Sequence, residues 1–478
     1  MRYSFASYTA TSIGVVVSLA TKAVLGATGA GYWEFMKVFL SYGEYSDLGM
    51  SEAMRREMSQ AIGAGDKPRS QHVSDVVFSF TAVAAIIFAT GLVLFAIFFV
   101  QNPVLRIGLF ATAALAVAQQ FYNFMLTLLR TTKKIREISH LIVVNILIVG
   151  AVSVSFAYFG GVEGLAFGLA ISTVLSGLLA VRLSGAHFRL AWDARETARL
   201  LKIGIPMVAL RTALVTFLSI DALMIGRLIG YRELGYYAIA LMALQQIGSV
   251  GQYIKMILFP HIQERYGRSG SLKDSKGLFV RSAAVLSHLL PIVIGATIFL
   301  VPALVDVLLP QFREGIPAMQ VLVAGYFFVA VNEMSFTLLF TIDKQKRLLP
   351  AYVLLILFSI GLNYFFIRQG FGIRGVAVAT SITYFLFFLA VFTYAYSHLQ
   401  SWLELLRTLA FITAIFIYFS LIAWAINRYP LEWPIVWASI VKCGVFTLLM
   451  LPLVWHIEKR EKIIRHAFES LKTKLGIA

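Results

Sequence analysis

Residues 25–66 read LGATGAGYWEFMKVFLSYGEYSDLGMSEAMRREMSQAIGAGD, and the fold turns on how this stretch is read. Its middle predicts a membrane-spanning helix, yet it carries charges that a lipid-facing helix would not. Steps of three and four residues from Glu34 reach Lys37, Ser41, Glu44, Leu48, Ser51 and Arg55, which predicts one polar stripe along one helix face. Trp33, Phe35, Met36, Val38, Phe39, Leu40 and Met50 fall on the other faces and suit lipid or packed neighbours. A polar stripe at membrane depth needs water or polar partners, so it predicts the wall of an internal cavity.

The surrounding chain is of the same kind. Of its 478 residues 59% are hydrophobic and 14% charged, with a mean hydropathy of +0.80. Repeated apolar runs of about 20 residues match a hydrocarbon core roughly 30 Å thick, and an all-α polytopic membrane protein is expected. Fourteen spans are predicted at 5–26, 32–58, 72–99, 104–129, 138–159, 163–182, 203–226, 233–260, 280–308, 315–341, 349–367, 373–396, 403–426 and 434–457. The first of these has the position of a signal peptide; its length, its Ser and Thr content and the repetition of its end later in the chain mark it as a span. The loops are short, leaving no room for an extramembrane catalytic domain, and no enzyme is expected. The single cysteine, Cys443, excludes a disulfide framework, and the histidines show neither HxH nor HExxH spacing, so no metal or cofactor is expected.

A net charge of +17 raises the question of nucleic acid, and the distribution of the basic residues answers it. With the N-terminus placed inside, Lys and Arg on the inner loops and ends outnumber those on the outer loops by about four to one. That is the positive-inside pattern: both termini are expected to be cytoplasmic, and no nucleic-acid partner is implied.

The chain also repeats. Leu25-Gly26-(x4)-Gly31-Tyr32-Trp33 recurs as Ile229-Gly230-(x4)-Gly235-Tyr236-Tyr237. Thr127-Leu128-Leu129-x-Thr131-x-x-Lys134 recurs as Thr337-Leu338-Leu339-x-Thr341-x-x-Lys344, and Gly161-x-x-Gly164-x-Ala166 as Gly372-x-x-Gly375-x-Ala377. All three pairs fall at the same place in the span order. They predict two pseudo-symmetric six-helix lobes, spans 1–6 and 7–12, in one orientation around a central cavity, a transporter layout. The expected divisions are an N-lobe at 1–183, a cytoplasmic amphipathic linker at 184–202, a C-lobe at 203–400, two extra spans at 401–458 and a basic cytoplasmic tail at 459–478.

A basic residue at the centre of a span costs about 2.5–3.5 kcal/mol if it faces lipid. Lys22, Lys37, Arg211 and Lys255 must therefore snorkel, pair or face a wet cavity. Lys37 lies one turn from Glu34 and can pair along its own stripe. Arg211 sits about 12 Å inside span 7 by the helical rise, too deep to snorkel easily. Lys22 and Lys255 lie nearer span ends, where snorkelling is the alternative to a cavity role. If spans 1, 2, 7 and 8 face one another, these four residues line a cationic cavity suited to an anionic ligand such as phosphate or an acidic sugar. Asp221 reads either as a structural partner of a base or as a proton site. Asn145, Asn332, Glu333 and Asn363 read as hydrogen-bonding glue between helices.

These residues carry a resemblance. Gly26-ATGA-Gly31-Tyr32-Trp33, Asp47-Leu48-Gly49 and Arg55-Arg56-Glu57 resemble the start of bacterial oligosaccharide flippases of the polysaccharide transporter family, which carry LGxxxYGxW followed by DLG on the second span. The match departs at Gly31-Tyr32-Trp33, where the family more often has Tyr-Gly-x-Trp, and at Met50, which replaces the usual Leu. The motifs are confined to residues 25–57; the rest of the likeness lies in span number and repeat layout. The family belongs to the multidrug/oligosaccharidyl-lipid/polysaccharide exporter superfamily. The resemblance implies alternating access that moves a polyprenyl-diphosphate-linked oligosaccharide from the cytoplasmic to the outer leaflet of the bacterial inner membrane. It implies membrane lipids and polysaccharide-assembly proteins as partners, and a monomer. No GxxxxGK[ST] loop is present, so an H+ or Na+ gradient is the expected energy source, with Glu34, Glu44, Asp47, Asp221 and Glu333 as candidate coupling sites. The alternatives are a multidrug/cation antiporter or a lipid-linked peptidoglycan precursor flippase of the same superfamily, and more distantly a membrane-embedded polysaccharide polymerase or ligase.

Overall fold

A chain this apolar has few structural options, because a backbone N–H or C=O left unpaired in lipid costs several kcal/mol and the helix pairs nearly all of them internally. The computed structural model describes residues 2–185, 188–249 and 272–461, and their regular structure is helical throughout. The helices are α1 (Arg2–Gly43), α2 (Met50–Gly63), α3 (Lys67–Phe99), α4 (Pro103–Thr131), α5 (Ile135–Ser184), α6 (Ala194–Leu228) and α7 (231–249). They continue as α8 (Leu272–Leu308), α9 (Ile316–Thr341), α10 (Leu349–Arg368), α11 (Gly372–Tyr396), α12 (Trp402–Arg428) and α13 (Ile435–Glu461). Among the described residues, eleven helices are long and apolar enough to cross a membrane, so the chain is a multi-pass membrane protein.

Two of those eleven each turn back on themselves where one expected span gives way to the next. Lys22 Nζ lies 3.4 Å from Glu34 Oε1, although twelve residues of straight helix would separate them by about 18 Å. The chain therefore doubles back, and it does so at Gly26, whose φ of 65° is open to glycine at no steric cost. α5 reverses in the same way at Gly160-Gly161, which brings Gly168 against Ser153 and Phe156. Both turns fall where spans were predicted to end. The predicted eighth span runs beyond residue 249, outside the described residues, so fourteen remains the expected number rather than an observed count.

The second predicted span, 32–58, needs correction. It is not one continuous helix: α1 ends at Gly43, residues 44–49 form turns, and α2 starts at Met50. Leu48 and Gly49 both have positive φ, 50° and 82°. The Asp47 carboxylate accepts from the Gly49 N–H at 2.9 Å and the Ser51 N–H at 3.0 Å, satisfying the first amides of the new helix. The Asp-Leu-Gly triplet is thus a helix break with its own cap, and the polar stripe is divided between two helices. α2 turns Met50, Ala53, Met54 and Met58 into a core with Val73, Val77, Phe124, Leu128 and Leu200 and leaves Arg55 and Arg56 exposed.

The described residues pack as two compact units, Met1–Gly235 and Tyr236–Ala478. In the first, α6 packs on α1, α2 and α3, although the repeat places it at the start of the second lobe. The linker ahead of α6 is fastened to α3. Ala191 N–H donates to Ser79 Oγ at 2.9 Å, and Asp193 caps α6 through the Arg195 and Glu196 amides while meeting His72 at 3.1 Å. Arg69 and Arg199 both pair with Glu196, and Arg199 also reaches Glu57. In the second unit, α9 and α11 form a core of buried aromatics, including Phe327, Phe328, Phe387 and Phe392, with α13 packed along α8. The tail beyond Glu461 lies outside the described residues.

Candidate substrate pocket

The first unit holds a polar pocket of about 190 Å³ at the break between α1 and α2. Its walls come from Glu44, Tyr45 and Asp47 in the break, Ser51, Glu52 and Arg55 on α2, Gln120, Asn123, Thr127 and Arg130 on α4, and Val208 and Arg211 on α6. Backbone packing sets this geometry. A Cβ on Gly49 would lie 2.6 Å from the Gly204 carbonyl oxygen, and a Cβ on Gly204 would lie 2.5 Å from that of Gly49. Only two glycines let α6 cross the break this closely, and Arg211, two turns further along α6, then reaches the pocket.

Three arginines converge there. Arg211 Nη2 is 3.0 Å from Glu52 Oε1, and Arg55 Nη2 pairs with the other oxygen, Glu52 Oε2. The arginine side chains are about half exposed (52% and 56%), Glu52 only 18%, so the cations face open space while the anion sits beneath them. Arg130 is exposed and makes no ion pair among the described residues. Glu44 accepts from Gln119 Nε2 at 2.8 Å, and Gln120 ties α4 to the break through Gly43 O and Ser46 Oγ. The three guanidiniums share the pocket with the carboxylates of Glu44, Asp47 and Glu52, and guanidinium is the side-chain group whose geometry suits forked hydrogen bonds to phosphate or carboxylate oxygens.

The expected cationic cavity of Lys22, Lys37, Arg211 and Lys255 is drawn differently by the structure. Lys22 and Lys37 share Glu34 across the Gly26 turn, forming a separate group. Lys22 does not snorkel: it is 5% exposed, with Glu34 at 4% and Ser18 Oγ at 3.3 Å. Arg211 belongs to the pocket with Glu44 and Asp47, and Asp47 spends both carboxylate oxygens on backbone amides. Asp221 is buried further along α6, where its carboxylate accepts from the Ala222 N–H. Glu333 stands on α9 in the second unit, and Lys255 lies outside the described residues. Glu52 and Arg130 were not singled out by sequence. The available signals were the three-residue spacing of Glu52 and Arg55, and the place of Thr127 in a repeated motif one turn from Arg130.

Residues 58–317, more than half of the chain, match the family described as polysaccharide biosynthesis protein. The chain belongs to that family. Among solved structures, the lipid II flippase MurJ in an inward closed conformation aligns with a TM-score of 0.70 at 13% identity, over 96% of this chain and 99% of its own. An inward-facing multidrug resistance MATE family transporter of the MOP superfamily aligns with a TM-score of 0.66 at 13% identity, over 85% and 95%. A MOP superfamily transporter from Pyrococcus furiosus, described as having reverse polarity of its binding pocket, aligns with a TM-score of 0.58 at 16% identity, over 83% and 94%. No curated protein matches the chain in sequence. The chain therefore shares the fold of these structures, which are named as transporters and a flippase.

Proposed function

We propose that this protein flips a polyprenyl-diphosphate-linked oligosaccharide from the cytoplasmic to the outer leaflet of the bacterial inner membrane, with both termini cytoplasmic. The observation that carries this reading is the convergence of Arg55, Arg130 and Arg211 on one polar pocket of a membrane-embedded unit. Two ionised phosphates give a carrier lipid the charge and the oxygen geometry that arginines bind best, and the membership in a polysaccharide biosynthesis family favours a glycan as the cargo. MurJ, which shares the fold, is named as a lipid II flippase, and that favours a flippase reading here. A cation antiporter would need an acidic pocket, whereas here the three carboxylates are matched by three arginines. Among the coupling candidates, Glu44 is exposed at the pocket wall and is the carboxylate best placed to take a proton or Na+. The decisive experiment deletes the gene and follows the carrier lipid. Oligosaccharide-linked carrier should accumulate on the inner leaflet, whereas unchanged carrier with lost surface polymer would favour a polymerase or ligase.

A further inference from the structure

Two of the three pocket arginines are not vacant. Glu52 presents one carboxylate oxygen to Arg211 and the other to Arg55, as a bridging phosphate would. We propose that Glu52 is an internal stand-in for the substrate anion: it occupies the diphosphate subsite at rest and must swing away for a phosphate-headed lipid to bind. This inference rests on the flippase reading of the same pocket.

Three features support it. The pocket lining carries three arginines and three carboxylates, Glu44, Asp47 and Glu52, and displacing Glu52 frees Arg55 and Arg211 together to face the two charges of a diphosphate diester ionised once on each phosphate. Glu52 lies in the first turn of α2, where the helix dipole favours an anion, so the released carboxylate keeps a favourable setting without either arginine. Arg130, unpaired among the described residues and lining the same pocket, is a third donor for the incoming head group. The exchange also has a mechanical consequence. The Glu52–Arg211 pair joins α2 to α6, and substrate entry breaks that tie while leaving the backbone contact of Gly49 with Gly204 intact. Glu52 thereby sets both the selectivity of the pocket for anions strong enough to displace a carboxylate and the ease with which they leave again.

The test uses the full-length protein in nanodiscs and farnesyl diphosphate as the probe, with farnesol as the uncharged control. Glu52→Gln should bind farnesyl diphosphate at least about five-fold tighter than wild type and release it more slowly, with farnesol unaffected. Arg211→Ala should lose the binding. Unchanged or weaker binding in Glu52→Gln, with Arg211 still required, would overturn the role of Glu52 and leave the flippase reading standing. Failure of wild type and every variant to bind, or binding indifferent to Arg211, would overturn both. If Glu52→Gln does not fold, Glu52→Asp serves. Its carboxylate is one methylene too short to span both arginines, so it too should tighten binding, and wild-type affinity in folded Glu52→Asp rejects the proposal.

Discussion

Gly49 and Gly204 touch backbone to backbone, so that a Cβ on either one would run into the other's own carbonyl. This contact seats α6 on the break in the second span and brings Arg211 over Glu52. Gly204→Ala should therefore cost roughly 1–3 kcal/mol from overpacking against atoms that cannot rotate away. Gly49→Ala should cost more, since Gly49 also holds a φ of 82°. Thermal unfolding measures the stability, and transport should fall with it because α6 is pushed off the pocket.

A second close approach links residues related by the sequence repeat. Gly31 packs on the carbonyl of Tyr231, and its repeat counterpart Gly235 packs on the carbonyl of Ala27, the counterpart of Tyr231. The contact is reciprocal, so either alanine substitution forces the same separation of the two helices. Gly31→Ala and Gly235→Ala should each destabilise, and the double variant should cost clearly less than the two combined. Additive costs in a double-mutant cycle would show that the two contacts are independent.

The role of Asp47 is capping. Asp47→Ala leaves the Gly49 and Ser51 amides without their acceptor and should cost about 1–2 kcal/mol, with faster hydrogen exchange over 49–53. Asp47→Asn keeps one acceptor and should be milder. Equal and unchanged exchange in both variants would remove the cap from the account.

Glu34 is the shared partner of two lysines, one of them buried. Glu34→Gln strands the Lys22 ammonium and should cost about 3–5 kcal/mol. Adding Lys22→Met should recover most of that, because Lys37 is 39% exposed and can be hydrated. Denaturant unfolding in detergent compares the three proteins; a double variant no better than Glu34→Gln would mean that the cost lies elsewhere.

The linker supplies a prediction in pH. Hydrogen bonds from the Glu196 amide, then from His72, hold the Asp193 carboxyl below its usual range. The lowered value means that Asp193 favours the docked linker above the ordinary aspartate value of 3.8, and that this contribution is lost as pH falls through the lowered one. Limited proteolysis of the linker should be flat through neutral pH and rise in acid, and Asp193→Ala should show the acid pattern already at neutral pH.

How much of this was legible beforehand depends on the range of each interaction. Apolar runs and the asymmetry of Lys and Arg report a partition between lipid and water, which each segment makes largely by itself, so the membrane class and the turns at Gly26 and Gly161 could be read from one dimension. The polar stripe was legible only in part. Glu44, Ser51 and Arg55 do line one pocket, but the periodic reading assumed an unbroken helix and missed that Asp47 caps a new one at Met50. Tertiary structure decided the partners. Lys22 and Glu34 meet because the chain reverses between them, Arg211 meets Glu52 because two distant glycines permit a backbone crossing, and Arg130 joins them from α4. A charge can be counted in sequence, but its neutralising partner is fixed by packing, and in this protein the partner decides which cations are free to hold a substrate.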